Sequence, residues 1–225
     1  MSSVYGVADF YAANRGGGLY SEALSQRLGA LIALLGSRLG LSPTVVTLGN
    51  LALGLTTSIV VAVNAGRITP WGGILALLGW QLAYAMDCAD GQLARVTGQA
   101  SPAGARVDVL CDVASHIALV CALVLVGHPP LALAAIFAGT WMVNVITSVL
   151  ATGGAAPLLA STSWPTRLIK LVRDYGAIVL VAGLILAIRP QWMIGFIVAM
   201  TVINGGFLAA SLIQAAHRAL TATAD

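Results

Sequence analysis

Long apolar runs, separated by short breaks at glycine and proline, dominate this sequence. A helix needs about 20 apolar residues to cross the hydrocarbon core of a bilayer. Lipid offers no partners to backbone polar groups, so such runs cross as helices. The sequence therefore predicts an all-α integral membrane protein with six transmembrane helices. The predicted spans are residues 43–65, 71–94, 104–126, 131–152, 172–189 and 192–215.

The composition supports a membrane protein and argues against a nucleic-acid partner. Hydrophobic residues make up 59% of the chain and charged residues 8%, whereas soluble domains carry roughly 25% charged residues. No nucleic-acid-binding motif accompanies the net charge of +3. We divide the chain into an N-terminal segment (1–40), a six-helix membrane domain (41–217) and a C-terminal tail (218–225).

The N-terminal segment contains a leucine stripe. From Ser21 to Leu39, leucines recur at steps of four, three and four residues, and they therefore share one helical face. These are Leu24, Leu28, Leu31 and Leu35. The pattern predicts an amphipathic helix that lies in the membrane interface.

The positive charges predict the orientation. With six spans and the N-terminus inside, nine of the eleven Lys and Arg residues face the cytosol, and Arg67 and Arg189 lie outside. Positive residues concentrate on the cytoplasmic side of membrane proteins. We therefore expect both termini and the 95–104 loop on the cytosolic side, in the inner or cell membrane if the chain is bacterial.

Four acidic residues fall in or beside the second and third predicted spans. They are half of the eight acids in the chain: Asp87, Asp90, Asp108 and Asp112. Four unpaired carboxylates at membrane depth would cost roughly 10 kcal/mol. A divalent cation is the obvious candidate to neutralise them.

Helical spacing groups these acids on two surfaces. On the second predicted span, positions i, i+3, i+4 and i+7 share a face: Asp87, Asp90, Gly91 and Ala94. On the third, positions i, i+4 and i+8 do so: Gly104, Asp108 and Asp112. A short turn with Gly98 and Pro102 predicts that the two helices are antiparallel neighbours with facing carboxylates. Oxygen ligands without His or Cys favour Mg²⁺, Mn²⁺ or Ca²⁺ over zinc. By carboxylate count alone, a cation transporter or channel is an equal alternative.

The complete string carries a resemblance. It reads Asp87-x-x-Asp90-Gly91-x-x-Ala94-Arg95, eight residues, then Gly104-x-x-x-Asp108-x-x-x-Asp112. This pattern resembles the signature of the CDP-alcohol phosphotransferase family. The Pro43-x-x-x-Thr47 entry to the first span is also similar, although many members have Asn where this chain has Thr44.

The resemblance implies a reaction and a set of site residues. Family members transfer a phosphoalcohol group from a CDP-linked donor, often CDP-diacylglycerol, to an acceptor hydroxyl and release CMP in phospholipid biosynthesis. It implies that Asp87, Asp90 and Asp108 are the principal ligands of two Mg²⁺ or Mn²⁺ ions. Asp112 matches the general base and is expected to share the second ion. A homodimer is also implied.

The donor contacts implied by the resemblance come from four residues of the signature: Gly91, Ala94, Arg95 and Gly104. The glycines and the alanine would let cytidine and diphosphate approach the backbone. Arg95 either pairs with a carboxylate, which we favour, or meets a donor phosphate.

The acceptor is not specified by the signature. Basic residues near the predicted site are candidates to bind an acceptor phosphate: Arg106, Arg167, Lys170 and Arg173. The last three are equally a juxtamembrane cluster attracted to anionic lipid. His116 extends the Asp112 face by one turn and is either a partner of Asp112 or an ordinary hydrogen-bonded histidine. Small alcohols, alcohol phosphates and, in a cardiolipin-type reaction, a lipid hydroxyl remain open as acceptors.

Overall fold

The computed structural model describes residues 5–14, 16–151 and 171–222, and the regular elements in these ranges are helices. They are α1 (Val7–Ala12), α2 (Gln26–Arg38), α3 (Pro43–Val63), α4 (Pro70–Val96), α5 (Pro102–Gly127), α6 (Leu131–Ala151), α7 (Tyr175–Ile188) and α8 (Met193–Ala222). A π-helical turn at Ser21–Ser25 precedes α2, and 3₁₀ turns at Ala65–Arg67 and Pro190–Trp192 precede α4 and α8. A helix therefore occurs over each of the six predicted spans.

Three consecutive helices begin with the same local signal. Each has a Ser or Thr cap followed by proline, which suits the first helical position because it lacks an N–H that would otherwise be unsatisfied. The cap oxygens accept backbone N–H groups at 3.4 Å (Ser42 Oγ from Val45), 3.1 Å (Thr69 Oγ1 from Gly72) and 3.0 Å (Ser101 Oγ from Gly104). These caps fix where α3, α4 and α5 begin.

The turn between α4 and α5 reverses the chain beside the acidic cluster. Gly98 has φ +69°, a left-handed conformation that glycine adopts without steric cost. The N–H of Gln99 donates to the carbonyl of Ala94 at 2.8 Å, which closes α4 in a Schellman-type end.

Helix α3 separates the two helices that carry the acids. It packs along both α4 and α5, whereas α4 and α5 approach each other closely at hardly any position. At Gly54, a β-carbon would lie 3.5 Å from Ser115 Oγ on α5 and 3.8 Å from the Ala83 β-carbon on α4. The expectation that α4 and α5 are packed directly against each other is therefore wrong for most of their length, because each packs mainly on the small face of α3.

Two apolar clusters hold the fold together. The larger joins α3 to α8 and includes the buried Trp80, Phe137, Leu186 and Ile197. The smaller joins α1, α2, α3 and α4, with Phe10, Ala30, Ala33, Val46 and Leu93 buried in it. The N-terminal segment therefore packs on the membrane domain through its own core.

A buried acid also ties the N-terminal segment to α7. Asp174 caps α7 by accepting the Gly176 N–H at 3.1 Å, and it accepts the Ser21 N–H at 2.8 Å. The Ser21 hydroxyl lies 2.5 Å from Asp174 and 2.8 Å from the Tyr84 hydroxyl of α4. One carboxylate thus joins the segment, α4 and α7.

Three helical stretches are long and apolar enough to cross a membrane: Pro43–Val63, Pro102–Gly127 and Pro190–His217. Two shorter apolar stretches lie at Leu131–Ile146 and Tyr175–Ile188 within the described residues. These stretches indicate a membrane protein, and the count of six spans stays a prediction. On α2, Leu28, Leu31 and Leu35 are 39%, 53% and 57% exposed, so the leucine stripe faces outward, and its place in a membrane interface also stays a prediction.

Candidate active site

Three carboxylates from two helices converge near the ends of α4 and α5 that are predicted to face the cytosol. Asp87, Asp90 and Asp108 each offer an oxygen, and these oxygens lie within 4.8 Å of one another. Asp90 is only 5% exposed. The convergence that helical spacing predicted is confirmed for these three residues.

Helix α3 holds two of these carboxylates through hydrogen bonds. The Thr47 hydroxyl lies 2.6 Å from Asp90 Oδ2 and donates to it. The Asn50 amide donates to Asp87 Oδ1 at 3.2 Å. Sequence reasoning did not include these two residues in the site. Polar or small residues recur along one face of α3 at Thr47, Asn50, Gly54 and Ser58, and that pattern could have identified them.

Asp112 lies one helical turn beyond Asp108. Its carboxyl is within hydrogen-bonding reach of Asp87, so it adjoins the cluster of three. A cavity of ≈ 120 Å³ beside it is lined by polar groups that include Asn50, Tyr84 and Ser115. The fourth acid therefore borders the cluster on one side and internal polar space on the other.

A cavity of ≈ 470 Å³ lies between α4 and α5; we call it the motif cavity. It is bordered by α3 residues, by the α4–α5 turn, and by Asp90 and Asp108. The four predicted donor residues all line it: Gly91, Ala94, Arg95 and Gly104. The structure thus brings these residues together around one space that is open to the carboxylates.

Arg95 is anchored by the N-terminal segment. Its Nε donates to the Ala13 carbonyl at 2.7 Å. Its guanidinium lies over Gly91, where an added β-carbon would be 3.0 Å from Nη1. Asp108 has Arg95 as a charged neighbour. Whether Arg95 serves a carboxylate or a donor phosphate stays a prediction.

A third cavity, of ≈ 220 Å³, is also lined by Asp112; we call it the Arg173 cavity. Its polar lining residues are Asp112, His116, Trp141, Asn144, Arg173, Tyr175 and Asn204. Arg173 Nη2 donates to Asn144 Oδ1 at 3.0 Å, and Asn144 in turn donates to Asn204 Oδ1 at 2.6 Å. The Arg173 guanidinium stacks 3.5 Å from the centre of the Phe207 ring.

The predicted acceptor residues do not share one place. Arg173 lines the cavity beside Asp112, whereas Arg106 is exposed on α5. Arg167 and Lys170 lie outside the described residues. Of the two described residues, Arg106 and Arg173, Arg173 is the one that lines the same cavity as Asp112.

His116 contacts the backbone of Asp112. Its Nδ1 lies 2.8 Å from the Asp112 carbonyl oxygen, one turn earlier on α5. Its ring centre is 4.5 Å from that of Tyr175. His116 thus supports the α5 backbone at Asp112 and lines the Arg173 cavity.

The cluster suits a divalent cation by its chemistry. It presents carboxylate oxygens, backed by a hydroxyl and an amide donor, and the group of three contains no His or Cys. Hard cations such as Mg²⁺ prefer oxygen ligands of this kind. Like-charged side chains this close together also need a positive counter-charge. The acidic cluster could therefore bind a metal ion.

Comparison with known proteins agrees with this geometry. No curated protein matched the chain significantly. The family model for CDP-alcohol phosphatidyltransferase matches residues 41–210. This range contains the four carboxylates and the described residues that line the motif cavity and the Arg173 cavity. Because this match covers most of the chain, the protein belongs to the CDP-alcohol phosphatidyltransferase family.

Proposed function

We propose that the protein transfers a phosphatidyl group from CDP-diacylglycerol, or a related phosphoalcohol group from another CDP-alcohol, to an acceptor hydroxyl in phospholipid biosynthesis. The new bond joins the acceptor oxygen to the donor's β-phosphorus. The bond from that phosphorus to CMP breaks, and CMP leaves. The observation that carries the proposal is the group of four acids: Asp90 and Asp108 line the cavity that contains the donor residues of the signature, and Asp112, within hydrogen-bonding reach of Asp87, lines the Arg173 cavity.

The motif cavity supports the donor half of the reaction. Its volume of ≈ 470 Å³ falls within the usual range of about 300–1,000 Å³ for small-molecule sites. Gly91, Ala94 and Gly104 leave the backbone accessible for cytidine and diphosphate. Arg95 supplies a cation beside them. We propose that this cavity binds the CDP moiety.

The carboxylates support a metal-dependent mechanism. We propose that Asp87, Asp90 and Asp108 hold two Mg²⁺ or Mn²⁺ ions, the second of which Asp112 shares. Bound there, such ions would neutralise the diphosphate and stabilise the charge that develops on the leaving CMP. The Thr47 and Asn50 hydrogen bonds to Asp90 and Asp87 support this proposal, because they restrain the two carboxylates.

Asp112 is proposed as the general base. Its side chain borders the acidic cluster and also lines the Arg173 cavity. An acceptor hydroxyl in that cavity would pass its proton to the Asp112 carboxylate as the new bond to phosphorus forms. His116 and the α5 backbone hold Asp112 in place.

The Arg173 cavity supports a small phosphorylated alcohol as acceptor. Among its described lining residues, Arg173 is the only Lys or Arg. A guanidinium binds a phosphate through paired, charge-assisted hydrogen bonds. Asn144, Asn204 and Tyr175 offer partners for hydroxyl groups. A volume of ≈ 220 Å³ favours a compact alcohol phosphate over the bulkier lipid acceptor of a cardiolipin-type reaction.

The remaining basic residues are proposed to assist the same acceptor. Arg106 is exposed on α5 and would attract an anion at long range. Arg167 and Lys170 precede Arg173 in the chain and are proposed to extend its positive field. Binding of anionic lipid is the alternative role for this group.

We further propose six membrane spans, with the active site and both termini on the cytosolic side and α2 in the interface. Support comes from the six helices and from the positive-inside distribution of Lys and Arg. The exposed leucine stripe of α2 supports the interfacial position. A homodimer is proposed by family resemblance.

The deciding experiment measures CMP release. Purified protein is incubated with CDP-diacylglycerol, Mn²⁺ and a panel that includes glycerol phosphate, inositol phosphate, serine and a phospholipid acceptor. We expect CMP release that depends on one alcohol phosphate and is lost in a chelator. If no CMP is released with any acceptor, either from CDP-diacylglycerol or from other CDP-alcohol donors, the proposal fails. Metal uptake into vesicles without CMP release would instead support the transporter alternative.

A further inference from the structure

The first part of the N-terminal segment, at residues 5–14 and 16–25, packs against α4, which lines the motif cavity. Phe10 of α1 is completely buried in the same cluster as Leu93 of α4. Leu93 lies between Ala94, which faces the cavity, and the fully buried Gln92. The segment therefore supports the part of α4 that borders the motif cavity.

Gln92 links three parts of the chain. Its side chain is 0% exposed. Its Nε2 donates to Asn14 Oδ1 at 2.9 Å and to the Gln26 carbonyl at 2.9 Å. Gln26 in turn donates to the Gly16 carbonyl at 2.9 Å. A single amide on α4 thus fixes the segment on both sides of its turn into α2.

The same stretch of the segment holds Arg95. The Ala13 carbonyl, next to Asn14, accepts from Arg95 Nε at 2.7 Å. Arginine has a long side chain that loses considerable rotamer freedom when it is ordered. Anchoring it before a ligand arrives reduces the entropy that binding must overcome. The position of Ala13 therefore controls where the guanidinium lies in the motif cavity.

Fold stability alone does not explain why a glutamine occupies position 92. Its Oε1 has no hydrogen-bond partner among the described residues, and a buried polar atom without a partner is costly. A leucine of similar size would avoid that cost but would remove the donor that Asn14 Oδ1 and the Gln26 carbonyl now have. The two bonds that Nε2 donates are what glutamine adds.

We propose that Gln92 is a positioning residue for the donor site: by holding Asn14 and Gln26 it places the Ala13 carbonyl, which orients Arg95 toward the CDP moiety. The N-terminal segment is then a part of the donor site. This inference rests on the proposed function, because it takes the motif cavity as the place where the CDP moiety binds.

The first test compares two glutamines on α4. Gln92→Leu should raise the KM for the CDP-alcohol donor about tenfold, as expected for a lost hydrogen bond to a charged group. The KM for the acceptor and kcat should stay within about twofold of wild type, because Asp112 and the Arg173 cavity are untouched. Gln81→Leu is the matched control, since Gln81 Nε2 also donates to a backbone carbonyl, that of Gly176 on α7, at 2.8 Å.

The second test changes the partner of Gln92. Asn14→Ala removes the acceptor oxygen and should raise the donor KM roughly threefold, because the bond to the Gln26 carbonyl remains. Asn14→Asp keeps a side-chain oxygen in that place and should restore the wild-type KM. If the substitutions acted only by making the N-terminal segment more mobile, Asn14→Ala and Asn14→Asp would change the donor KM alike.

A third readout does not depend on turnover. Calorimetry measures the binding of CDP with Mn²⁺, and hydrogen exchange measures protection of the α1 amides. Gln92→Leu should weaken CDP binding about tenfold and increase exchange in α1, while Gln81→Leu should do neither. If the wild type binds CDP without releasing CMP, the proposed function fails and the CDP affinities still test Gln92. Wild-type donor affinity in Gln92→Leu, an equal loss in Gln81→Leu, or no CDP binding by the wild type would overturn the inference.

Discussion

The motif cavity and the Arg173 cavity reach different members of the group of four acids and are built differently: Asp90 and Asp108 line the first, and Asp112 lines the second. The motif cavity draws its lining from α3, α4, α5 and the turn between α4 and α5, all within residues 43–108. The Arg173 cavity draws its lining from α5, α6, α7 and α8, with residues from 112 to 204. The first contains most of the signature, and the second shares only Asp112 with it.

This difference separates the two halves of the proposed reaction. Residues that would bind the CDP moiety are fixed by a compact sequence pattern on two helices. Residues that would select the acceptor are contributed by helices far apart in the chain. A change of acceptor would therefore need substitutions only in the second group.

The strongest test of the comparison is Asp112, which lines the Arg173 cavity and lies within hydrogen-bonding reach of Asp87 in the acidic cluster. Asp112→Asn removes the proposed proton acceptor while it keeps the size of the side chain. We expect kcat to fall by about 10²–10⁴, with binding of CDP and Mn²⁺ weakened much less. Radiometric CMP release and calorimetry with CDP measure the two quantities. An Asp112→Asn enzyme with normal kcat would exclude the role as base.

Arg173 should separate the acceptor side from the donor side. Arg173→Met keeps much of the stem but removes the charge, and we expect the acceptor KM to rise roughly 10–100-fold. The donor KM should not change, because Arg173 does not line the motif cavity. Steady-state kinetics with each substrate varied in turn checks this. Arg189→Met, at the opposite end of α7, should leave both constants unchanged, and a rise in the donor KM alone would reverse the assignment of the cavities.

A substitution at Thr47 tests the proposed binding of metal by Asp90. Thr47→Val is nearly isosteric and removes the hydroxyl that donates to Asp90. Loss of a hydrogen bond behind a metal ligand typically lowers metal affinity 10–100-fold, and we expect about a tenfold increase in the Mn²⁺ concentration for half-maximal activity. Thr57→Val is the control on the same helix, because Thr57 donates to its own helix at the Leu53 carbonyl. Equal Mn²⁺ requirements in both variants would count against the metal role of Asp90.

Arg106 should have the smallest effect. Since it is exposed, its attraction for an anionic acceptor is screened by salt. Arg106→Gln should raise the acceptor KM threefold or less at low ionic strength, an effect that falls away as salt screens the charge. Measurement of the acceptor KM across a salt series checks this. A larger effect that persists at high salt would place Arg106 in direct contact with the acceptor.

The sequence predicted the features that depend on local pattern. Proline and a capping residue fix the start of α3, α4 and α5, and helical spacing brings Asp87, Asp90 and Asp108 together. The part played by α3 was not predicted, because Thr47 and Asp90 are 43 residues apart and the polar face of α3, although visible as a pattern, does not specify which helix it meets. The same holds for Arg173, Asn144 and Asn204, whose contacts depend on how α6, α7 and α8 pack.

The position of α3 between α4 and α5 has a consequence for ion choice. Mg²⁺ needs ligand oxygens at about 2.0–2.1 Å, whereas Ca²⁺ accepts about 2.3–2.6 Å. The distance that carboxylates on two helices must span depends on how far apart those helices lie, and at Gly54 of α3 an added β-carbon would be 3.5 Å from Ser115 Oγ on α5 and 3.8 Å from the Ala83 β-carbon on α4. The separation of α4 and α5 would then decide which ion radius the carboxylates fit. That separation depends on the width of α3 at Gly54, a residue that is not itself a ligand.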